Sequence, residues 1–143
     1  MGWFCLLMAE WMLCCAASAF NHKQNEKEVN DMNLLEQYIF YMKQGDNIGL
    51  ADLFHPHGVL HDSSLLKIGK DTLHLEGKTA IEMMFHYRFR FNRGPFKIQG
   101  VEYIGEQIIN YFITYGETLL HVHAFFRKTD AEDQIQRLDI YPT

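Results

Sequence analysis

Cysteine is missing from everything after Phe20: Cys5, Cys14 and Cys15 are the three that the chain contains. From Met32 onward this excludes disulfides, thiolate zinc sites and thiol nucleophiles. No glycine-rich phosphate loop, nucleophilic-serine motif or metalloprotease helix occurs either. Positive charge is also scarce. The formal net charge is −5, and residues 32–143 hold 14 acidic against 11 basic side chains. That balance speaks against a nucleic-acid partner, whose binding surface is strongly basic. The local exception is Arg88, Arg90, Arg93 and Lys97 interleaved with Phe89, Phe91 and Phe96, a composition able to stack bases and touch phosphates. Its alternation reads more plainly as a strand with one wet face.

Long hydrophobic runs are confined to residues 1–20, where Glu10 interrupts the stretch. A run of roughly twenty residues broken by a carboxylate is a poor membrane span, and no membrane partner is expected. Two other readings stand. Ala17-Ser18-Ala19 resembles a signal-peptidase site, although no Lys or Arg precedes the apolar stretch. Alternatively, Lys27-Glu28-Val29 is encodable by a purine-rich tract of the kind bacterial ribosomes use. Translation would then start at Met32, and residues 1–31 would be translated upstream DNA. The expected location is cytoplasmic on this second reading, and secreted if residues 1–19 are a signal peptide.

What remains, residues 32–143, has the size and composition of one globular domain. The chain is 48% hydrophobic and 14% aromatic, enough to build a core with flat apolar walls. Leu34, Leu35, Tyr38, Ile39 and Met42 recur at helical spacing, with Asp31 or Asn33 to cap the start and Gly45 to close the end. Asp46 begins a second short helix through Ile48, Leu50, Ala51, Leu53 and Phe54, which Pro56 is expected to end. Residues 58–62 read as a short strand, and 65–68 with 72–75 as a hairpin around Gly69-Lys70-Asp71. Residues 78–87 return to helical spacing through Ile81, Met84 and Phe85. Four longer strands follow, at about 96–104, 107–115, 118–128 and 134–141; turns this short make them antiparallel. The class is α+β.

Both faces of the two central strands are rich in apolar residues. Ile108, Phe112, Leu119 and Phe125 alternate with Ile109, Tyr111, Ile113, Val122, Ala124 and Phe126, so both faces are expected to be covered. Helices cover one, and a second copy of the chain is the simplest cover for the other, making a homodimer. Asn110 and Thr114 offer isolated polar groups in an apolar wall. His121-x-His123 puts two imidazoles on one strand face, and His55, His57 and His61 lie near Asp62. Cavity-lining polar contacts or proton carriers are the favoured reading of these histidines, with surface or interface positions as the alternative. A divalent metal held by two histidines and a carboxylate is a weaker reading, since no ligand motif of known spacing is present. No cofactor is expected.

Three features coincide: a first helix ending in Gly45-Asp46, a second reaching Leu53-Phe54 before a short strand, and a third opened by residues 76–85, EGKTAIEMMF. With four antiparallel strands behind them, residues 32–143 resemble the nuclear transport factor 2-like superfamily, which includes ketosteroid isomerases and SnoaL-type cyclases. The resemblance implies a cone-shaped, curved, mixed sheet wrapped around about three N-terminal helices, the cystatin-like α+β barrel. It places the isomerase's hydrogen-bonding tyrosine at Tyr38 and its general-base aspartate at Asp62. The aspartate that the isomerases carry on a late strand has no counterpart, and His121 or His123 stands in its place. The implied function is small-molecule binding, as an acid/base isomerase, cyclase or hydrolase acting on an apolar ligand. A non-catalytic ligand-binding or dimerisation module is the alternative. Phe54, His61, Phe85, Asn110, Phe112 and Phe125 are the expected ligand-lining residues.

Overall fold

The computed structural model describes residues 28–128 and 133–143. The chain divides into Met1–Asn33 and Leu34–Thr143. In the first unit, residues 28–31 are helical. The readings that concern residues 1–27 lie outside the described residues, as do residues 129–132 of the last predicted turn. Among the described residues no helix is long and apolar enough to cross a membrane.

Helix α1, Leu34–Gln44, buries Leu34, Leu35, Tyr38, Ile39 and Met42, the stripe read from the sequence. Gly45 ends it at φ +69°, a left-handed conformation that glycine adopts without steric cost. Asp46 then caps α2, Asn47–Asp52, its carboxylate accepting from the Gly49 N–H at 2.9 Å. This helix is shorter than expected. Phe54 belongs to strand β1, Phe54–Asp62, and Pro56 lies inside that strand instead of ending the helix. The ladder to the neighbouring strand is irregular between Phe54 and Val59, so a residue without an N–H is tolerated there.

The expected hairpin between residues 65–68 and 72–75 does not form. Ser63 and Ser64 turn the chain into a 3-10 helix, Ser64–Ile68, because Asp62 captures the Ser64 N–H at 2.9 Å in an Asx-type turn. Strand β2, Leu73–Glu76, pairs with β1 instead, in antiparallel register with His61 opposite His74. Helix α3, Lys78–Phe91, runs a full turn beyond the expected end. Ile81, Phe85 and Phe89 bury its inner face at four-residue spacing, which overrides the strand-like alternation of Arg88, Phe89, Arg90 and Phe91.

Strands β3, Lys97–Ile104, β4, Ile108–Tyr115, β5, Thr118–Lys128, and β6, Ile135–Pro142, follow as an antiparallel meander. The six-stranded sheet has the order β2-β1-β6-β5-β4-β3, with β1 and β6 parallel, so it is mixed. In β3 a bulge lies between Gln99 and Glu102, and Gly100 adopts φ +58° there. A Cβ at Gly100 would stand 3.1 Å from the Phe112 ring. A bulge of this kind sharpens local twist and helps the sheet curl. The core lies on the concave side, where Tyr111, Val122, Ala124, Phe126, Leu138 and Ile140 meet the helices. Tyr38 packs edge-on against Phe126 with centroids 5.1 Å apart.

Candidate functional site

Five separate segments send a polar side chain to one place inside the cone. Tyr38 comes from the middle of α1, Asp62 from the last residue of β1, and Ser64 from the first of the 3-10 helix. Arg88 comes from the inner face of α3 and Tyr111 from β4. Together with Met42, Leu65, Phe85, Phe96, Ile113, Tyr115, Leu120, Val122 and Ile140 they line a cavity of about 30 Å³. That is room for roughly one or two water molecules. The partly exposed members, Leu65, Arg88, Ile113 and Tyr115, mark its mouth, while Tyr38, Asp62 and Tyr111 are its floor. A bulky apolar ligand would fit only if side chains at the mouth moved.

Asp62 is only 2% exposed and is held by three hydrogen bonds. Its Oδ1 accepts from the Ser64 N–H and hydroxyl, and its Oδ2 accepts from Arg88 Nη1 at 2.9 Å. The Arg88 side chain is 17% exposed, so this is an ion pair largely withdrawn from water. Such a pair requires both partners, because a buried charge left alone is costly.

The Tyr38 hydroxyl is fully buried and has no hydrogen-bond partner among the described residues. Burial pushes its pKa far above the ordinary tyrosine value of 10.0, a rise that the neighbouring Tyr111 hydroxyl partly offsets. The two hydroxyls are close enough to influence each other but do not meet hydrogen-bond geometry. Tyr111 is likewise raised well above 10.0, first by burial and then by Tyr38. Both phenols therefore stay protonated at neutral pH as hydrogen-bond donors.

The structure brings Tyr38, Asp62 and Phe85 of the expected site together, and it separates the others from them. His121 and His123 alternate with the buried Leu120, Val122 and Ala124, so they occupy the convex face of the sheet, away from the cavity. His121 Nδ1 is bonded to the Thr143 hydroxyl, and its ring lies 4.4 Å from that of Phe112. Asn110, Phe112 and Phe125 share that outer face, Asn110 standing opposite His123 and Phe112 opposite His121. His61 also points outward, its ring 5.7 Å from that of His74. Phe54 is fully buried in the core but is not part of the cavity wall. Period-two alternation had grouped these side chains correctly; the curvature of the sheet turned the group away from the cone. Among the described residues no set of three or more His, Cys, Asp or Glu is placed to hold a metal.

Sequence reasoning missed Arg88, Ser64 and Tyr111 as site residues. Arg88 had a signal, since it lies seven residues after Ile81 and three after Phe85, on the stripe that α3 buries. Tyr111 sits between Ile109 and Ile113 on the more apolar of the two strand faces. Ser64 carried only the local signal of a serine two residues after an aspartate.

No protein-family model matches the chain, and no curated protein matches it in sequence. Solved structures do match in shape. A nuclear transport factor 2-like protein of unknown function from Cytophaga hutchinsonii superposes with a TM-score of 0.57 at 10% identity, over 77% of this chain and 87% of that one. A protein with a ketosteroid isomerase-like fold from Catenulispora acidiphila, in complex with trimethylamine, gives 0.57 at 12%, over 77% and 85%. A SnoaL-like protein of unknown function from Burkholderia thailandensis gives 0.54 at 10%, over 76% and 90%. Identities this low concern the fold alone. With six strands in a mixed sheet and three α-helices among the described residues of Leu34–Thr143, this chain has the cystatin-like, nuclear transport factor 2-like α+β fold.

Proposed function

We propose that the cone binds a small molecule through an acceptor oxygen that takes a hydrogen bond from the Tyr38 hydroxyl, with Asp62 beside it as the acid/base group. The observation that carries this reading is the buried, unpartnered Tyr38 hydroxyl facing the same cavity as Asp62. Leaving such a donor unsatisfied costs about 1–3 kcal/mol, and a ligand oxygen would remove that cost. Asp62 already accepts three hydrogen bonds. A carboxylate has about four acceptor positions, so one remains on Oδ2 for a ligand proton. This arrangement suits isomerase, cyclase or hydrolase chemistry in which a proton moves and an oxygen gains negative charge. A protein of similar fold is known in complex with trimethylamine, which supports small-molecule binding by a protein of this fold and carries nothing about the charge class of the ligand taken by this chain.

The test is native mass spectrometry of the purified chain, followed by titration of any co-purifying molecule into the Tyr38→Phe and Asp62→Asn variants. A lost donor should weaken binding by about five- to tenfold, in line with roughly 1 kcal/mol for one hydrogen bond. Unchanged affinity in both variants rejects the reading.

A second reading concerns assembly. Phe112, Leu119 and Tyr141 on the convex face are 39%, 58% and 44% exposed, an apolar set that a second copy of the chain would cover by two-fold packing. Light scattering that finds a monomer at micromolar concentration would reject it.

A further inference from the structure

We propose that Arg88 sets the charge class of the ligand, making the cavity a site for uncharged oxygen compounds such as amides, ketones or alcohols and excluding carboxylates and organic cations. The inference rests on the cavity being a ligand site, as proposed above, and adds what the ligand must be.

Charge has to balance in a place that water barely reaches. Of the residues lining the cavity, Asp62 and Arg88 are the ones that carry charge, one of each sign, and they are paired at 2.9 Å. Their side chains are 3% and 17% exposed, so the pair is self-neutralising and weakly screened. The other polar groups are hydroxyls from Ser64, Tyr38, Tyr111 and Tyr115. Burial holds Tyr38 and Tyr111 in their neutral form. An entering carboxylate would meet Asp62, and an entering ammonium would meet Arg88; each adds a net charge to a neutral, largely dry cluster. A neutral ligand with an acceptor oxygen adds none, and it satisfies the Tyr38 donor.

Arg88 acts here by neutralising Asp62, which makes the ligand's charge class a property of the pair. Without Arg88, the same cavity would present a lone carboxylate and favour a cation. Without Asp62, it would present a lone guanidinium and favour an anion. The ion pair on the convex face, Arg137 with Asp139, faces away from the cavity and has no part in this selection.

The experiment uses three nearly isosteric probes, benzamide, benzoate and benzamidine, which differ in charge and hardly in shape. All three are larger than the resting cavity, so each requires the same movement of side chains at its mouth, and their ranking then reports charge and not size. Binding to the full-length chain is followed by ligand-observed NMR at neutral pH. Benzamide should bind the unaltered protein at least about tenfold more tightly than either charged probe. In Arg88→Met the order should move to benzamidine first. In Asp62→Asn it should move to benzoate first. The double variant Asp62→Asn with Arg88→Met restores neutrality and should return the preference to benzamide. That return also separates a charge effect from loss of folding in either single variant.

A charged probe that equals or exceeds benzamide on the unaltered protein overturns the inference and leaves the cavity reading in place. An order that stays the same in all variants also overturns it. If none of the three probes binds the unaltered chain, the cavity reading falls, and the charge selection falls with it.

Discussion

The two faces of the β4–β5 ladder are built from the same two strands, yet they have opposite fates. The concave face presents Ile109, Tyr111, Ile113, Leu120, Val122, Ala124 and Phe126, most of them buried. The convex face presents Ile108, Asn110, Phe112, Thr114, Leu119, His121, His123 and Phe125, none of them fully buried. Each face has aromatic and branched side chains, and each belongs to a sheet that carries an arginine–aspartate pair. Inside, Arg88 and Asp62 are both enclosed by helices and strands; on the outer face the Asp139 carboxylate is buried too, at 6% exposed, but its partner Arg137, 2.9 Å away, is 41% exposed. With both partners enclosed the inner pair is weakly screened, whereas water reaches the Arg137 side of the outer one.

The sharpest way to break this contrast is to truncate neighbouring residues on opposite faces. Phe126→Ala should destabilise the domain by about 4 kcal/mol, because a fully buried phenylalanine leaves a cavity. Phe125→Ala, one residue away and facing out, should cost about 1 kcal/mol or less. Urea unfolding of the two variants gives both numbers, and equal losses would mean that the faces are not distinct.

Next in size is the pair of arginines. Arg88→Met leaves the Asp62 carboxylate buried and unpaired, and should lower stability by about 3 kcal/mol. Arg137→Met also strands a buried carboxylate, Asp139, but from a guanidinium that is 41% exposed, so its cost should be smaller. A chemical denaturation midpoint that falls equally in both variants would contradict the difference in enclosure.

Alkaline pH separates the faces again. Tyr38 and Tyr111 on the concave side have pKa values raised by burial above the ordinary 10.0. Unfolding lets these phenols ionise once the pH passes about 10, so the unfolded chain then binds fewer protons than the folded one. The stabilisation is therefore fully present below pH 10 and should be lost as the pH rises above it. Comparing urea midpoints at pH 8 and pH 11 tests this. The loss should shrink in Tyr38→Phe; a loss of equal size in that variant would assign it to other groups.

The smallest effect has an informative sign. Removing the unpartnered hydroxyl in Tyr38→Phe should leave stability unchanged or raise it by about 1 kcal/mol, because a buried donor without an acceptor is a cost in the ligand-free protein. Thermal unfolding measures it. A clear loss of stability would show that the hydroxyl has a structural partner, and would weaken its assignment to a ligand.

Much of the local structure was legible because its causes are local. The α1 stripe, the Asp46 cap, the Gly45 stop and the strand alternation all depend on residues within about one turn or two strand positions. The errors arose where local signals competed. Alternating Arg and Phe at 88–91 looked like a strand, but the four-residue spacing of Ile81, Phe85 and Phe89 kept the segment helical. Residues 65–68 looked like a strand until the Asp62 side chain took the Ser64 N–H and turned the chain. Within the candidate site, Tyr38 and Asp62 were placed by resemblance, and the structure sets both in one cavity. The histidines were read into that cavity because two apolar strand faces offer no simple local rule for which one lies inside. A weak signal existed: Asn110, Thr114, His121 and His123 make their set the wetter of the two, and wetter sets face out.

By itself the sequence determined an α+β domain without cysteine, the order and kind of most of its elements, and which side chains travel together on each face. Those follow from backbone geometry and hydrophobic spacing, which are properties of short stretches. Only the tertiary structure decided which face curls inward, how little room the cone leaves, and that Arg88 reaches an aspartate 26 positions earlier in the chain. Sheet curvature, cavity volume and a buried ion pair are set by where distant segments meet, and no local pattern carries that information.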